Sequence, residues 1–196
     1  LAMTTNSLVD GAGNIVAVND YFNGSNYDVV ITKYSTTGSL IWTRTFASIG
    51  LVNNDFAKKL LIDASGNYII LGTSQPGDYL SCRTFIIKYN ANGDILNSIT
   101  YSRAGNPFTS FLDAVVDAAG NIFAAGGSTD QMTTDSALVV KFGSSLNVMW
   151  ENSRNDTNYY NNFAYSVKLD PSGNSYIAGA SGDNLTAMKI DAFGTN

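Results

Sequence analysis

Histidine is absent from this 196-residue chain, cysteine occurs once, and proline occurs three times. Glutamate occurs once, as Glu151, beside 15 aspartates among the 16 acidic residues. Without histidine there is no Ser-His or Cys-His nucleophile system, no imidazole metal ligand and no ordinary near-neutral proton shuttle. Most familiar enzyme classes are thereby removed. A lone Cys82 cannot close a disulfide within the chain, so no disulfide framework supports the fold. In Ser81-Cys82-Arg83-Thr84-Phe85 it reads as a small, partly buried residue, not a reactive thiol. Apolar runs stay far short of the roughly 20 residues that span a bilayer, which argues against membrane insertion. The 11 basic residues are outnumbered and scattered, with a net charge of −5, so no phosphate-tracking surface and no nucleic-acid partner is expected. Leu1 to Thr5 carry neither a basic nor an apolar leader pattern, which reads as a processed or truncated start.

What is present in quantity is turn chemistry: 22 Asn and 18 Gly accompany the aspartates. It is laid out periodically. Asp-x-x-Gly-Asn occurs at Asp10 to Asn14, Asp63 to Asn67, Asp117 to Asn121 and Asp170 to Asn174, at intervals of 53, 54 and 53. A second landmark keeps phase: Lys33-Tyr34, Lys88-Tyr89, Lys141-Phe142 and Lys189-Ile190, with Gly38, Gly93, Leu146 and Gly194 five residues after each lysine. Trp42 and Trp150 follow four residues later in the first and third copies, where the second has Asn97.

Each repeat divides into short strand-like runs. In the third these are Phe111 to Val116, Ile122 to Gly126, Ala137 to Phe142 and Val148 to Asn152. Val, Ile, Phe, Tyr and Thr fill the runs, and no long helical stripe with caps appears. A four-stranded antiparallel unit of this period buries its faces only by stacking on copies of itself. The expected fold is therefore all-β, a β-propeller of four-stranded antiparallel blades, about four in this chain. The repeats run approximately 1–53, 54–107, 108–160 and 161–196, the last incomplete. Since 196 residues fall short of four full periods, the chain is expected to be one segment of a larger, seven- or eight-bladed propeller, with a compact four-bladed ring as the alternative.

Asp10, Asn14, Asp63, Asn67, Asp117, Asn121, Asp170 and Asn174 are read as structural turn residues: Gly and Asn accept positive φ, and the Asp carboxylate accepts backbone N–H groups. A calcium loop would need several converging oxygens, and each copy offers one carboxylate, so neither a metal nor a cofactor is expected. The repeated lysine is read as the partner of a turn Asp, a ring of ammonium groups being the alternative.

Asp-x-x-Gly-Asn, an apolar strand ending near Gly, Lys-Tyr, then Gly-x-x-x-Trp resembles the bacterial β-propeller repeat labelled SBBP. Asp63 to Gly72 and Asp170 to Gly179 fit best. The first copy departs with Val18-Asn19 where Gly is expected, and the third with Leu146 at a turn glycine. The resemblance implies an exported or cell-surface bacterial protein and conveys no catalytic residues.

The least repeat-like stretches are Ser74 to Arg83, Arg103 to Ser110 and Asn152 to Asn162. The last holds Tyr159, Tyr160 and Asn161, suited to carbohydrate or protein contact through stacking and side-chain amides. Asp135-Ser136-Ala137 matches a bacterial O-glycosylation acceptor at Ser136. The expected function is a non-catalytic binding or adhesion module contacting a protein or glycan at the cell surface, together with the rest of a larger propeller chain or complex. A carboxylate-dependent carbohydrate-active enzyme and a structural spacer are the alternatives.

Overall fold

The computed structural model describes residues 3–48, 53–77, 81–129, 135–154, 162–182 and 184–195. Among the described residues the chain is all-β, with fifteen strands and no helix. They form four antiparallel meanders: β1 (Met3–Val9), β2 (Ile15–Phe22), β3 (Tyr27–Tyr34) and β4 (Leu40–Phe46); then β5 (Asn53–Ile62), β6 (Tyr68–Pro76), β7 (Arg83–Tyr89) and β8 (Ile95–Tyr101). The third is β9 (Phe108–Val116), β10 (Ile122–Thr129), β11 (Asp135–Phe142) and β12 (Val148–Arg154). The fourth, three-stranded among the described residues, is β13 (Phe163–Leu169), β14 (Ser175–Ser181) and β15 (Asn184–Ile190). The third-repeat strands extend beyond the expected runs at Phe108, Thr129, Asp135 and Arg154, because Ser, Thr and Gly at their ends still satisfy the ladder.

Two compact units result, Leu1–Thr100 and Tyr101–Asn196. In the first, Val16, Val18, Val29, Ile31 and Trp42 pack on Ala57, Leu60, Tyr68, Ile70, Phe85, Ile87 and Tyr89. In the second, Phe123, Ala125, Val139 and partly buried Trp150 pack on Ala164, Val167, Ile177 and Ile190. Each fully buried Val, Ile or Phe contributes about 1.5 to 3 kcal/mol relative to exposure, so adjacent sheets hold one another.

The repeat is legible in the backbone. The first strand of every sheet carries a one-residue register shift, around Thr5, Lys58, Leu112 and Tyr165. Opposite the shift the second strand places Gly72, Gly126 and Gly179, where a Cβ would collide with the carbonyl oxygens of Phe56, Ser110 and Phe163. At these three positions the bulged strand presses its carbonyl into the neighbour, and glycine leaves the room for it. In the first sheet Asn19 stands there, paired with Thr4.

Candidate functional site

The Asp-x-x-Gly-Asn turns are built alike. Asp10 Oδ1 accepts the N–H groups of Ala12 and Asn14 at 2.9 Å, while Asn14 Nδ2 donates to Asp10 Oδ2 at 3.1 Å. Asp63 with Asn67, Asp117 with Asn121, and Asp170 with Asn174 repeat the pattern. Gly13, Gly66, Gly120 and Gly173 supply the positive φ that closes a type I turn with a bulge. The turns after β3, β7 and β15 use the same scheme with other caps: Ser35 Oγ, Asn90 Oδ1 and Asp191 Oδ1 each accept two backbone N–H groups. Leu146, at φ 66°, is the non-glycine exception among the described residues; its buried side chain offsets the strain.

These turns also join sheets. Lys33 Nζ lies 3.0 Å from Asp10 Oδ2, and Tyr68 Oη, from the next sheet, donates to the same oxygen at 2.8 Å. Burial would raise the Asp10 pKa, but bonds from Asn14, Lys33 and Tyr68 outweigh it and hold the carboxyl well below the usual range. Lys88 pairs with Asp63 at 2.8 Å. Lys141 and Lys189 lie over the rings of Phe123 and Tyr176. Two carboxylates inside strands, to which the sequence reading assigned no role, do similar work. Asp20 accepts the Ala57 N–H of the following sheet, and Asp113 accepts the Val167 N–H and the Ser166 hydroxyl. Their signal was a lone acid in an apolar strand, which needs a donor to be buried there.

Two constellations remain with chemistry available. The first is a cleft of about 420 Å3 in the first unit, lined by Phe46, Ala47, Ser48, Asn53, Ser74, Pro76, Arg83, Ser98 and Thr100. The variable stretch from Ser74 to Arg83 supplies three of these. Behind it Ser48 Oγ and Ser74 Oγ are 2.8 Å apart, Asn53 Nδ2 donates to Ser48 Oγ, and the Ser48 N–H donates to Asp55 Oδ2 at 2.6 Å. Asp55 is fully buried, and its Oδ1 meets no partner. Burial, opposed by the Ser48 amide and reinforced by Asp28, pushes its pKa up.

The second lies in the other unit, where Tyr101 Oη donates to Glu151 Oε2 at 2.6 Å and Arg103 Nε stands 3.9 Å from Oε1. Burial and the Glu151 bond raise the phenol far above its ordinary pKa, so it stays a donor and not a base. Arg103 also donates to Ser153 Oγ, and its N–H to Thr109 Oγ1, so the stretch from Arg103 folds back on its own sheet. No group of three metal-ligating side chains occurs among the described residues. Burial raises the Cys82 thiol against the pull of Lys58, away from thiolate chemistry. Tyr159, Tyr160 and Asn161 lie outside the described residues. Ser136 sits within β11, only 5% exposed, so its hydroxyl is not offered to solvent.

No family model matches the chain, and no curated protein matches it. Among solved structures, the polysaccharide lyase Uly1 aligns at 11% identity and a TM-score of 0.57, over 93% of this chain and 48% of the lyase. A protein of unknown function from Bacteroides caccae aligns at 14% identity and 0.42, over 99% and 80% of the respective chains. A eukaryotic initiation factor aligns at 10% and 0.49, over 98% and 53%. The chain thus spans about half the length of the lyase whose all-β fold it is similar to.

Proposed function

We propose that this chain is a non-catalytic β-propeller module of an exported or surface-attached bacterial protein, and that it binds a glycan in the cleft between Phe46, Ser74 and Arg83. The cleft carries the reading. Ser48, Ser74, Ser98, Thr100, Asn53 and Arg83 line it together with Phe46 and Pro76. This mixture of donors, acceptors and flat apolar surface suits a hydroxyl-rich ring, with the cation favouring an acidic sugar. Elsewhere the carboxylates serve the scaffold: Asp10, Asp63, Asp117, Asp170 and Asp191 cap turns, and Asp20 and Asp113 tie sheets. Meandering four-stranded sheets, the 53-residue period and the likeness to SBBP repeats support the propeller and the exported setting.

A second reading, a carbohydrate-active enzyme, draws on the lyase's fold and on the Tyr101–Glu151 pair. One titration separates them. Neutral and uronic-acid-containing polysaccharides are offered to the chain, with Arg83→Ala as control. Saturable binding that the variant loses, with the polymer intact, supports the module. Intact binding in Arg83→Ala overturns the cleft assignment, and polymer cleavage overturns the non-catalytic one.

A further inference from the structure

Behind the cleft of the first unit stands a buried acid, Asp55, one of whose oxygens has no partner. Asp55 on β5 and Ser74 on β6 are direct partners across the ladder, so their side chains leave the same face of the sheet. Ser48, on the connection after β4, closes the group. Its N–H donates to Asp55 Oδ2 at 2.6 Å, and its hydroxyl lies 2.8 Å from that of Ser74. Ser48 and Ser74 line the cleft, and through them the acid behind it can act on whatever the cleft holds.

Each hydroxyl of the pair carries one proton. Asn53 Nδ2 donates to Ser48 Oγ at 3.0 Å and uses neither, while the contact between the hydroxyls uses one. The other is spare, and it goes either inward to Asp55 or outward into the cleft. Both hydroxyls bear on the Asp55 carboxyl and favour its charged form, and a hydrogen bond to a carboxylate is roughly twice as strong as one between neutral groups. An ionised Asp55 therefore holds the spare proton, and the cleft is shown lone pairs. A proton on Oδ1 leaves Oδ2 accepting the Ser48 N–H as before, weakens the carboxyl as an acceptor and frees the hydroxyl to donate into the cleft. A sugar hydroxyl, donor and acceptor at once, fits either wall. A sugar carboxylate only accepts, so it meets lone pairs in one state and a donor in the other.

The charged group acting on Asp55 is Asp28 on β3, which adds to the preference for the neutral acid. On the other strands packed against β5, Asp20 accepts the Ala57 N–H, and Lys33 and Tyr68 are bound to Asp10. Tyr21 on β2 and Tyr27 and Tyr34 on β3 complete the titratable groups of those strands. β5 itself continues into Lys58 and Lys59, and Arg83 on β7 lines the cleft.

We propose that Asp55 is the positioning residue that sets the specificity of the cleft for acidic sugars. Neutral, it lets the Ser48 and Ser74 hydroxyls donate to a uronate carboxylate; ionised, it draws their protons away and sets its own charge behind the site. Acidic glycans are held at low pH and released as pH rises, while neutral glycans are held alike at both. The assignment rests on the cleft being the glycan site.

Calorimetric titration of the full chain with an oligogalacturonate and with a neutral oligogalactoside, between about pH 4.5 and pH 8 where the uronate itself stays ionised, tests this. Wild-type affinity for the oligogalacturonate is expected to fall by up to about tenfold per pH unit above the folded pKa of Asp55, with the oligogalactoside bound equally throughout. Asp55→Asn, permanently neutral, should bind the oligogalacturonate at every pH as the wild type does at the acid end. A second measurement needs no variant: the Ser48 amide resonance reports the Asp55 titration, and saturating oligogalacturonate should move its midpoint to higher pH while the oligogalactoside leaves it in place. Flat oligogalacturonate binding in the wild type, a slope that survives in Asp55→Asn, or a midpoint that does not move overturns the role of Asp55 and leaves the glycan site standing. Absence of binding by either saccharide at every pH overturns the glycan site and this role with it.

Discussion

Tyr68 gives its hydroxyl proton to Asp10, 58 residues earlier and in the neighbouring sheet, at 2.8 Å. The same carboxylate closes its own hairpin and pairs with Lys33. A turn and a sheet-to-sheet contact therefore share one charged group. Tyr68→Phe removes a hydrogen bond to a charge and is expected to cost about 1.5 to 2 kcal/mol at neutral pH. The sign with pH follows from the depressed Asp10 pKa. Its stabilisation is present above the unfolded value of about 3.9 and is lost as pH falls toward the folded one. The gap between wild type and variant in thermal melts should accordingly shrink below about pH 4.

Two glycines of different purpose give different costs. Gly66 has φ 78° with nothing near a Cβ, so Gly66→Ala meets only backbone strain, about 1 kcal/mol. At Gly126 a Cβ would run into the Ser110 carbonyl, and Gly126→Ala should cost more than about 3 kcal/mol. Denaturant unfolding of the pair checks the difference, and equal costs would refute the close-approach account.

The repeat period, the turn residues and the four-sheet organisation were legible in the sequence, because each turn needs positive φ at one position and a carboxylate or amide at another. Leu146 was a departure that left the turn unchanged: its apolar side chain is buried, and packing overrides the backbone preference. The cleft was legible only in part. Ser74 to Arg83 stood out as the stretch that breaks the repeat, but Phe46 comes from the preceding sheet, Ser48 from the connection and Asn53 from the start of β5, and no local pattern announces their meeting. Tyr159 and Tyr160 drew notice through composition, which says nothing of what surrounds them.

Trp42 is anchored at both ends. Its Nε1 donates to Ala91 O at 3.2 Å, and its ring covers Gly93, where a Cβ would sit 3.0 Å from Cδ2. Trp150 repeats this on Ala192 and Gly194. Trp42→Phe loses the hydrogen bond and part of the ring, and is expected to cost about 2 to 3 kcal/mol. Gly93→Ala should disturb the Trp42 fluorescence in a Trp150→Phe background, whereas Gly38→Ala, with nothing near its Cβ, should not.

Asp55 is buried with one oxygen unpartnered, and its pKa is raised, the reverse of Asp10. A raised folded pKa gives stability that is present below the unfolded value and lost as pH rises through the folded one. Asp55→Asn keeps an acceptor for the Ser48 N–H and removes the charge. It should match or exceed the wild type in melting temperature at pH 7, and the advantage should vanish below about pH 4. A loss of stability at neutral pH would show that the charge is held by a partner.

The register shift in each first strand has a bearing on how such repeats can change. One supernumerary residue reverses which side chains look inward, so the strand before Lys58 and the strand after it are written in opposite phase. Deleting that residue would mend the ladder with every pairing kept, Asp55 still opposite Ser74, and would release the position across from it from its need for glycine. A single residue gained or lost elsewhere in the strand would turn one half of it inside out, so repeats of this kind can change length only at the bulge or in their loops.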